Sequence, residues 1–317
     1  MPRINRAIDL LEADQPIYYT GAHSGHILTR EQGRIDAGTW ADYINVGMEH
    51  GAFDLTGLAH YMTGLVEGPT ASGHRTPAVI VEAPVNGIDE DMVRFNAWQF
   101  RLILGQGAHG ILLCQAETPG AVRAFVESCR YPHQKAGVDP TFIAPVDRLR
   151  GARKAAAGRD VHGRPYLGLG TRGRGSEGTA APIWGLSAEE YMERCDPWPL
   201  NPRGELLLGV KLESPEGVAN ADEILAVPGL GFAEMGPGDL GLSLGYTRVM
   251  RNPYPPEMQE ARDRVFAACR RNGIAFLEGA NETNVTRLID EGVRVVAGGR
   301  EDVARVGRAH TRRTMPT

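Results

Sequence analysis

Short apolar runs alternate with longer amphipathic segments along most of the chain. The amphipathic segments place apolar residues at helical spacing, as at Leu55, Leu58, Met62 and Leu65. The short runs are continuous rather than alternating, which is typical of parallel strands that are buried on both faces of a sheet. The eight runs that we interpret as strands lie at residues 17–25, 43–46, 77–84, 109–118, 206–213, 231–239, 274–280 and 293–299.

This succession of strand–helix units predicts an α/β fold, a (β/α)8 TIM barrel that residues 1–317 form as a single domain. A doubly wound open sheet is the alternative arrangement of the same units. The alternation of strands and helices is interrupted between residues 133 and 184, where glycine, arginine and proline are frequent and no long periodic segment is present.

Two carboxylates stand at the ends of neighbouring predicted strands. The run LLLGVKLE ends at Glu213, and GFAEMGPGD ends at Asp239. In a barrel, the carboxyl ends of the strands form the rim on which active sites lie. Two hard oxygen ligands held close together there suit Mg²⁺ or Mn²⁺. The structural alternatives are a helix N-cap for Asp239 and a surface ion pair for Glu213.

Other polar residues near strand ends extend the predicted site. In the GPGD segment, the backbone N–H groups of Gly238 and Asp239 stand at the entrance to a helix, where a substrate carboxylate could bind. His50 directly follows Glu49 at the end of the second predicted strand, which favours a general base over a buried core histidine. The remaining strand-end candidates, several of which we expect to form structural salt bridges, are His23, His26, Glu82, Gln115, Glu117, Lys211 and Glu278.

Charge and composition exclude some classes of partner. The formal net charge of −5 and the lack of a basic stripe argue against a nucleic-acid partner. No apolar run reaches membrane-spanning length and no signal peptide is present, so we expect no membrane partner. The four cysteines are scattered without zinc-like spacing, and a reducing cytoplasm is the predicted location.

Five segments carry a family pattern: MEHG after the second strand, CRYP, RGRGS…WGLSAEEY, KLES and EMGPGDLGLSLG. In order and spacing they resemble the HpcH/HpaI family of class II, metal-dependent pyruvate aldolases. This family includes enzymes of the 4-hydroxy-2-oxoheptanedioate aldolase and 2-keto-3-deoxy-L-rhamnonate aldolase type. The resemblance covers about residues 40 to 310 and is most specific from Glu213 to Gly245.

The resemblance implies a barrel of the phosphoenolpyruvate/pyruvate-binding type that assembles as a homo-oligomer, a trimer or hexamer. It implies a divalent metal (Mg²⁺, Mn²⁺ or Co²⁺) on Glu213 and Asp239, chelated by a 2-oxo acid that reacts with an aldehyde. The metal would polarise the carbonyl and stabilise an enolate. The substrate would contact Gly236, Gly238 and Asp239, and His50 would act as a base through bound water.

Three positions depart from the family pattern. The family's Asp-x-Glu-His motif has Gly47 at its first position here, its arginine on the third strand is Glu82, and its glutamine on the fifth is Lys211. An insertion at residues 134–170 also follows the fourth strand. Two unit charges about 4 Å apart interact by on the order of 4 kcal/mol at an effective dielectric near 20, so the change from arginine to glutamate is not neutral. A Glu82–Lys211 pair would restore the balance, and we expect altered chemistry or an altered substrate.

These residues lead to one main functional prediction and two alternatives. The main prediction is a metal-dependent carbon–carbon lyase, an aldolase acting on a 2-oxo acid or a related chelating substrate. Its catalytic residues are predicted to be His50, Glu82 and Lys211. In the first alternative, Glu82 supports a different enolate reaction, such as decarboxylation or isomerisation. In the second, the barrel is a catalytically inactive assembly subunit.

Overall fold

Parallel strands form the centre of the computed structural model, which describes residues 3–70, 73–142, 158–297 and 299–313. The strands of this part of the chain are β1 (Ile17–Ala22), β2 (Tyr43–Gly47), β3 (Ala78–Asn86), β4 (Gly110–Cys114), β5 (Pro197–Trp198), β6 (Leu206–Leu212), β7 (Phe232–Met235), β8 (Ala275–Gly279) and β9 (Val295–Ala297). Every pairing among these strands is parallel.

The hydrogen-bonded order β4-β3-β2-β1-β9-β8-β7-β6 closes on itself because β4 also pairs with β6. The two-residue strand β5 adds to β6 outside this ring. The predicted eight-stranded barrel is therefore confirmed. The open-sheet alternative is wrong, because an open sheet would leave β4 and β6 as unpaired edges.

Helices follow the strands and cover the outside of the barrel. The described helices are α1 (Arg6–Glu12), α2 (Arg30–Asp36), α3 (Leu55–Glu67), α4 (Glu90–Gly105), α5 (Pro119–Cys129), α6 (Glu177–Trp184), α7 (Ala188–Arg194), α8 (Pro215–Ala219), α9 (Ala221–Leu225), α10 (Pro237–Ser243), α11 (Pro256–Asn272), α12 (Val285–Glu291) and α13 (Glu301–His310). Among these helices, none is long and apolar enough to cross a bilayer.

The barrel has an outer and an inner apolar core. The larger cluster lies between the strands and the surrounding helices. The smaller cluster fills the barrel interior with alternate strand residues, and α1 closes its lower end with Ala7, Ile8 and Leu10. Gly209 is required in this interior, because a Cβ there would lie 2.3 Å from the ring of Phe232. Apolar packing thus fills the lower barrel, and polar side chains occupy its upper end.

Some elements differ from the sequence prediction. Helix α2 buries only Gly33, so it lacks the apolar periodicity that predicts a helix. Helix α6 lies inside the region predicted to be irregular, where Pro182 and the preceding glycines hide its pattern. Of the predicted insertion at residues 134–170, residues 143–157 lie outside the described part of the chain.

Candidate active site

Four of the predicted polar residues stand at the carboxyl ends of β2, β6 and β7. Glu49 and His50 follow β2, and Glu213 directly follows β6. Asp239 lies in the first turn of α10, which begins two residues after the end of β7. The barrel therefore gathers side chains that are almost two hundred residues apart in sequence onto one rim, as expected for a TIM-barrel active site.

Glu49 lies at the centre of this group. In one set, ligand atoms of Glu49, Cys114 and Glu213 lie within 4.8 Å of one another, and in a second set the same is true of Glu49, His50 and Asp239. His50 Nε2 lies 3.5 Å from Glu49 Oε2 and 4.0 Å from Asp239 Oδ2. Glu49 thus connects the two carboxylates that the sequence singled out, a role that strand-end position alone did not indicate.

Glu213 is a buried carboxylate whose negative charge is poorly compensated by its neighbours. Its side chain is 5 % exposed, and its Oε2 accepts one hydrogen bond, 3.0 Å long, from the backbone N–H of Gln115. The side chain packs over Gly236, where a Cβ would lie 2.2 Å from Glu213 Oε1. Burial raises the pKa of Glu213 to about 8, and the nearby charge of Lys211 only partly opposes this shift. The alternative of a surface ion pair is therefore wrong.

The other structural alternatives also fail. The N-cap of α10 is Gly236, and Asp239 lies inside the helix, so Asp239 is not the cap. The side chain of His50 is 50 % exposed, which is inconsistent with a core histidine. Beside Gly238 there is open space, since no atom lies within 4 Å of a Cβ built at this position. The first turn of α10 therefore borders room for a small molecule.

The residues present fit a hard divalent cation. Glu49 Oε1 is buried and accepts no hydrogen bond from any residue that the structure describes. Such an orphaned carboxylate oxygen is costly unless a cation or water satisfies it. Carboxylate oxygens and an imidazole suit Mg²⁺ or Mn²⁺. Burial raises the pKa of the Cys114 thiol well above its ordinary value, so the neutral sulfur is a poor ligand for such an ion.

Lys211 lies among these carboxylates. Its Nζ donates to Glu49 Oε2 at 2.9 Å and to Glu82 Oε2 at 3.3 Å, and it lies 4.0 Å from Glu213 Oε1. The Glu82–Lys211 pair expected from the sequence is thus present, and Glu49 is an additional partner. Burial alone lowers the pKa of Lys211, but the surrounding carboxylates, Glu213, Glu82 and Glu234, contribute to raising it by more. The ammonium group therefore stays charged.

Glu82 is fully buried and occupied by three partners. Its Oε1 lies 2.6 Å from His23 Nδ1 and accepts a 2.8 Å hydrogen bond from Asn45, while Lys211 contacts Oε2. Burial on its own raises the pKa of Glu82, but His23 and Lys211 lower it by more, so the group is ionised. Glu82 therefore holds the side chains of His23 and Lys211 in position. His26, by contrast, is directed to Asp36 and Tyr61, away from these residues.

Sequence reasoning missed Glu234 on β7. It is the register partner of Lys211, so both side chains point into the barrel. Its Oε2 has no hydrogen-bond partner among the described residues, and burial raises its pKa to about 7. The inward direction of the Glu234 side chain could have been predicted from the sequence. Glu234 lies two residues before Gly236, and alternate residues of a strand point to the same face.

With this geometry established, comparison with known proteins defines the family. The sequence model described as HpcH/HpaI aldolase/citrate lyase matches residues 75–304. The chain belongs to this family, which confirms the resemblance found in the sequence. The family relationship is consistent with an aldolase or lyase.

Curated relatives and a solved structure agree with this assignment. A hydroxypyruvate/pyruvate aldolase from Pseudomonas aeruginosa is 34 % identical over 135 residues, which are 42 % of this chain and 46 % of the relative. A 4-hydroxy-2-oxo-heptane-1,7-dioate aldolase from Shigella flexneri is 29 % identical over 164 residues, 51 % of this chain and 55 % of the relative. The chain thus spans about half the length of these curated relatives. An HpcH/HpaI aldolase/citrate lyase family protein from Burkholderia cenocepacia J2315 shares the fold, with a TM-score of 0.64, 21 % identity and 96 % coverage of both chains.

Proposed function

We propose that this protein is a divalent-metal-dependent carbon–carbon lyase that cleaves or forms a bond next to the carbonyl of a 2-oxo acid, with an aldehyde as the other product or substrate. The observation that carries the proposal is the cluster of Glu49, Glu213, Asp239 and His50 at the barrel rim. The family assignment supports lyase chemistry for such a cluster.

Glu49, Glu213 and Asp239 would hold the ion, which is Mg²⁺, Mn²⁺ or Co²⁺ in this proposal. When bound, the ion supplies Lewis-acid polarisation of the substrate carbonyl. Lys211 Nζ lies 4.0 Å from Glu213 and 2.9 Å from Glu49. Its positive charge partly offsets the burial that raises the pKa of Glu213, and a bound cation would favour the ionised carboxylate further.

The protein's own residues would position the substrate and move a proton. The space beside Gly238, in the first turn of α10, is suited to the substrate carboxylate, with the backbone N–H groups of Gly238 and Asp239 as donors and Gly236 lining the turn. His50 is half-exposed and next to Asp239, so it can take up the proton of the substrate hydroxyl, directly or through one water.

The structure offers less support to the two alternatives. A decarboxylase or isomerase that uses Glu82 as its base would need this carboxylate to be accessible, but Glu82 is fully buried and its oxygens are occupied. An inactive assembly subunit would have no reason to keep uncompensated carboxylates buried, since they reduce stability. We therefore place Glu82 as a positioning residue rather than as the base.

The test of the proposed function is pyruvate release from 4-hydroxy-2-oxo acids. We expect activity with Mg²⁺, Mn²⁺ or Co²⁺, loss of activity on chelation, and recovery when the ion is added back. Asp239→Asn should abolish the recovery. The matched control is Asp263→Asn, which changes an exposed carboxylate on α11 that contacts Gln259 and Arg262. Activity that survives complete chelation, or that Asp239→Asn leaves unchanged, would contradict the proposal.

We also propose that the chain acts as a homo-oligomer, a trimer or hexamer, in the cytoplasm. Helix α4 supports assembly because Met92, Phe95, Trp98 and Leu102 form an exposed apolar stripe along one face. All four cysteines are free and buried, consistent with a reducing compartment. Sedimentation equilibrium of the full chain measures the oligomeric state, and a monomer at micromolar concentration would contradict this part of the proposal.

A further inference from the structure

A continuous row of charged side chains connects two half-exposed histidines at the barrel mouth. His23 Nδ1 lies 2.6 Å from Glu82, and Lys211 Nζ lies 3.3 Å from Glu82 and 2.9 Å from Glu49. His50 Nε2 then lies 3.5 Å from Glu49. The side chains of His23 and His50 are 47 % and 50 % exposed. Each histidine therefore has its own buried carboxylate, and Lys211 lies between the two pairs.

Glu82 has three partners, of which His23 makes the shortest contact. That carboxylate already receives the ammonium group of Lys211 and a hydrogen bond from Asn45. The 2.6 Å contact also constrains His23. An ionised carboxylate can only accept, so the Nδ1–H of His23 donates to Glu82 and the ring orientation is fixed. Nε2 is the ring nitrogen left to exchange a proton, as in carboxylate–histidine pairs that transfer protons.

The loop that carries His23 is built around two glycines. Gly21 adopts φ +107°, and a Cβ there would lie 2.0 Å from the carbonyl oxygen of Asn45. At Gly47, a Cβ would lie 1.9 Å from the carbonyl oxygen of His23. Any larger side chain at this position, such as the aspartate of the family motif, would push the loop away. The glycine at position 47 therefore permits the observed position of His23.

The second ring nitrogen also has a defined partner. Tyr19 Oη lies 3.2 Å from His23 Nε2, and the rings meet edge to face. Burial raises the pKa of Tyr19 well above its ordinary value, so the group remains a hydroxyl. A hydroxyl can donate to neutral Nε2 or accept from its protonated form. The site thus accommodates both protonation states of His23.

We propose that His23, held by Glu82, is a second acid–base group of the site and delivers a proton to C3 of the 2-oxo acid. This inference rests on the proposed lyase function and divides its two proton transfers between two histidines. In the cleavage direction, His50 takes the proton of the C4 hydroxyl, and the electron pair of that O–H bond becomes the second bond of the aldehyde carbonyl. The C3–C4 bond breaks, and its electron pair forms the new C3–H bond with the proton from His23 Nε2. His23 regains a proton from solvent and His50 releases one, so no oxidant or reductant is needed.

The groups that face His23 define its expected pH dependence. The hydrogen bond that His23 donates to Glu82 raises the pKa of His23, and burial partly opposes this; Glu234 raises the pKa further and Lys211 lowers it. The acid form should therefore be lost only as the pH rises past this raised value. In Glu82→Gln the anion is removed while an acceptor for Nδ1–H is kept, so the loss should move to lower pH.

The experiment measures exchange of the C3 hydrogens of pyruvate with deuterium oxide by NMR, in the presence of Mg²⁺. This partial reaction needs no aldehyde and isolates the C3 proton transfer. We expect His23→Gln to slow exchange by about a hundredfold or more, the usual contribution of general acid–base catalysis. Added imidazole should restore part of the rate. The matched control is His60→Gln, which changes an exposed histidine on α3 and should exchange at the wild-type rate.

Two further readouts separate this role from a structural one. The pKa of His23 is measured by NMR in wild type and Glu82→Gln. It should fall in the variant together with the midpoint of the pH profile of exchange, below which the neutral His23 that removes the C3 proton is lost. Metal binding, measured by calorimetry, should be unchanged in His23→Gln. Wild-type exchange and an unchanged pH profile in His23→Gln would overturn the inference while leaving the lyase function intact. If the wild type itself binds no metal and releases no pyruvate, the proposed function fails instead.

Discussion

Two glutamates at strand ends, Glu213 after β6 and Glu278 in β8, illustrate the difference between a functional and a structural carboxylate. Glu278 faces the helices, where Arg262 donates to it at 2.7 and 3.1 Å and Asn252 donates at 2.8 Å. Glu213 faces the barrel mouth and receives one backbone hydrogen bond, with Lys211 4.0 Å away. Both carboxylates are buried, yet only Glu278 is neutralised by a direct partner.

The comparison shows that charge balance, rather than burial, marks the site. The guanidinium of Arg262 contacts both Glu278 and Glu291, so Glu278 needs no further positive charge. Around Glu213, the nearby carboxylates of Glu49, Glu82 and Glu234 leave an excess of negative charge over Lys211. An excess of this kind in a buried position is stable only with a bound cation or with protonation.

The largest effect is expected from Glu213→Gln. Metal affinity should fall by more than about a hundredfold, since losing only an outer partner of a ligand costs up to about that much. Metal-dependent pyruvate release should fall with it. Without metal, the variant should be more stable than wild type at pH 7, by on the order of 3 kcal/mol, because a pKa of about 8 makes burial of the ionised group unfavourable.

Calorimetric titration with Mn²⁺ and urea unfolding in a chelator check these two outcomes. The conservative variant Glu213→Asp serves as the control, since it keeps a carboxylate. A Glu213→Gln protein that binds Mn²⁺ like the wild type would remove the distinction between the two glutamates.

Glu278→Gln should have the opposite effect on stability. Removing one partner of a buried ion pair leaves Arg262 undercompensated, and we expect a loss of about 3 kcal/mol in the free energy of unfolding. Metal affinity should be unchanged, because the side chain points away from the barrel interior. Urea unfolding and Mn²⁺ titration of the same sample test both statements. Loss of metal binding with full stability would mean that Glu278 belongs to the site.

The smallest effect is a pH dependence that should distinguish the two regions. The folded pKa of Glu213 is about 8 against an ordinary value of 4.5, so this group lowers the stability of the metal-free protein as pH rises between these values. The same deprotonation favours metal, so Mn²⁺ affinity should rise by up to about tenfold per pH unit and level off near pH 8. Thermal melts with and without Mn²⁺ from pH 5.5 to 8.5 measure this. A metal-induced rise in melting temperature that is independent of pH would contradict the prediction.

Much of the site followed from strand-end position. The rim carboxylates Glu213 and Asp239, the exposed His50 and the Glu82–Lys211 pair all lie where the sequence placed them. Glu49 was noticed only as a neighbour of His50, and Glu234 was overlooked. His23 was one of two loop histidines with little to separate them. The distinction required the fold, because His23 contacts Glu82 whereas His26 contacts Asp36 and Tyr61.

By itself, the sequence determined the repeating strand–helix order, the family and the strand ends that carry carboxylates, because these depend on local periodicity and on residue spacing. Tertiary structure alone decided which partners each strand-end side chain meets. Closure of β4 onto β6 fixes the register, so that Lys211 and Glu234 face inward together while Glu278 faces Arg262. It also decided that the backbone at Gly47 supports the loop bearing His23. Such contacts join segments far apart in the chain, so no local pattern records them.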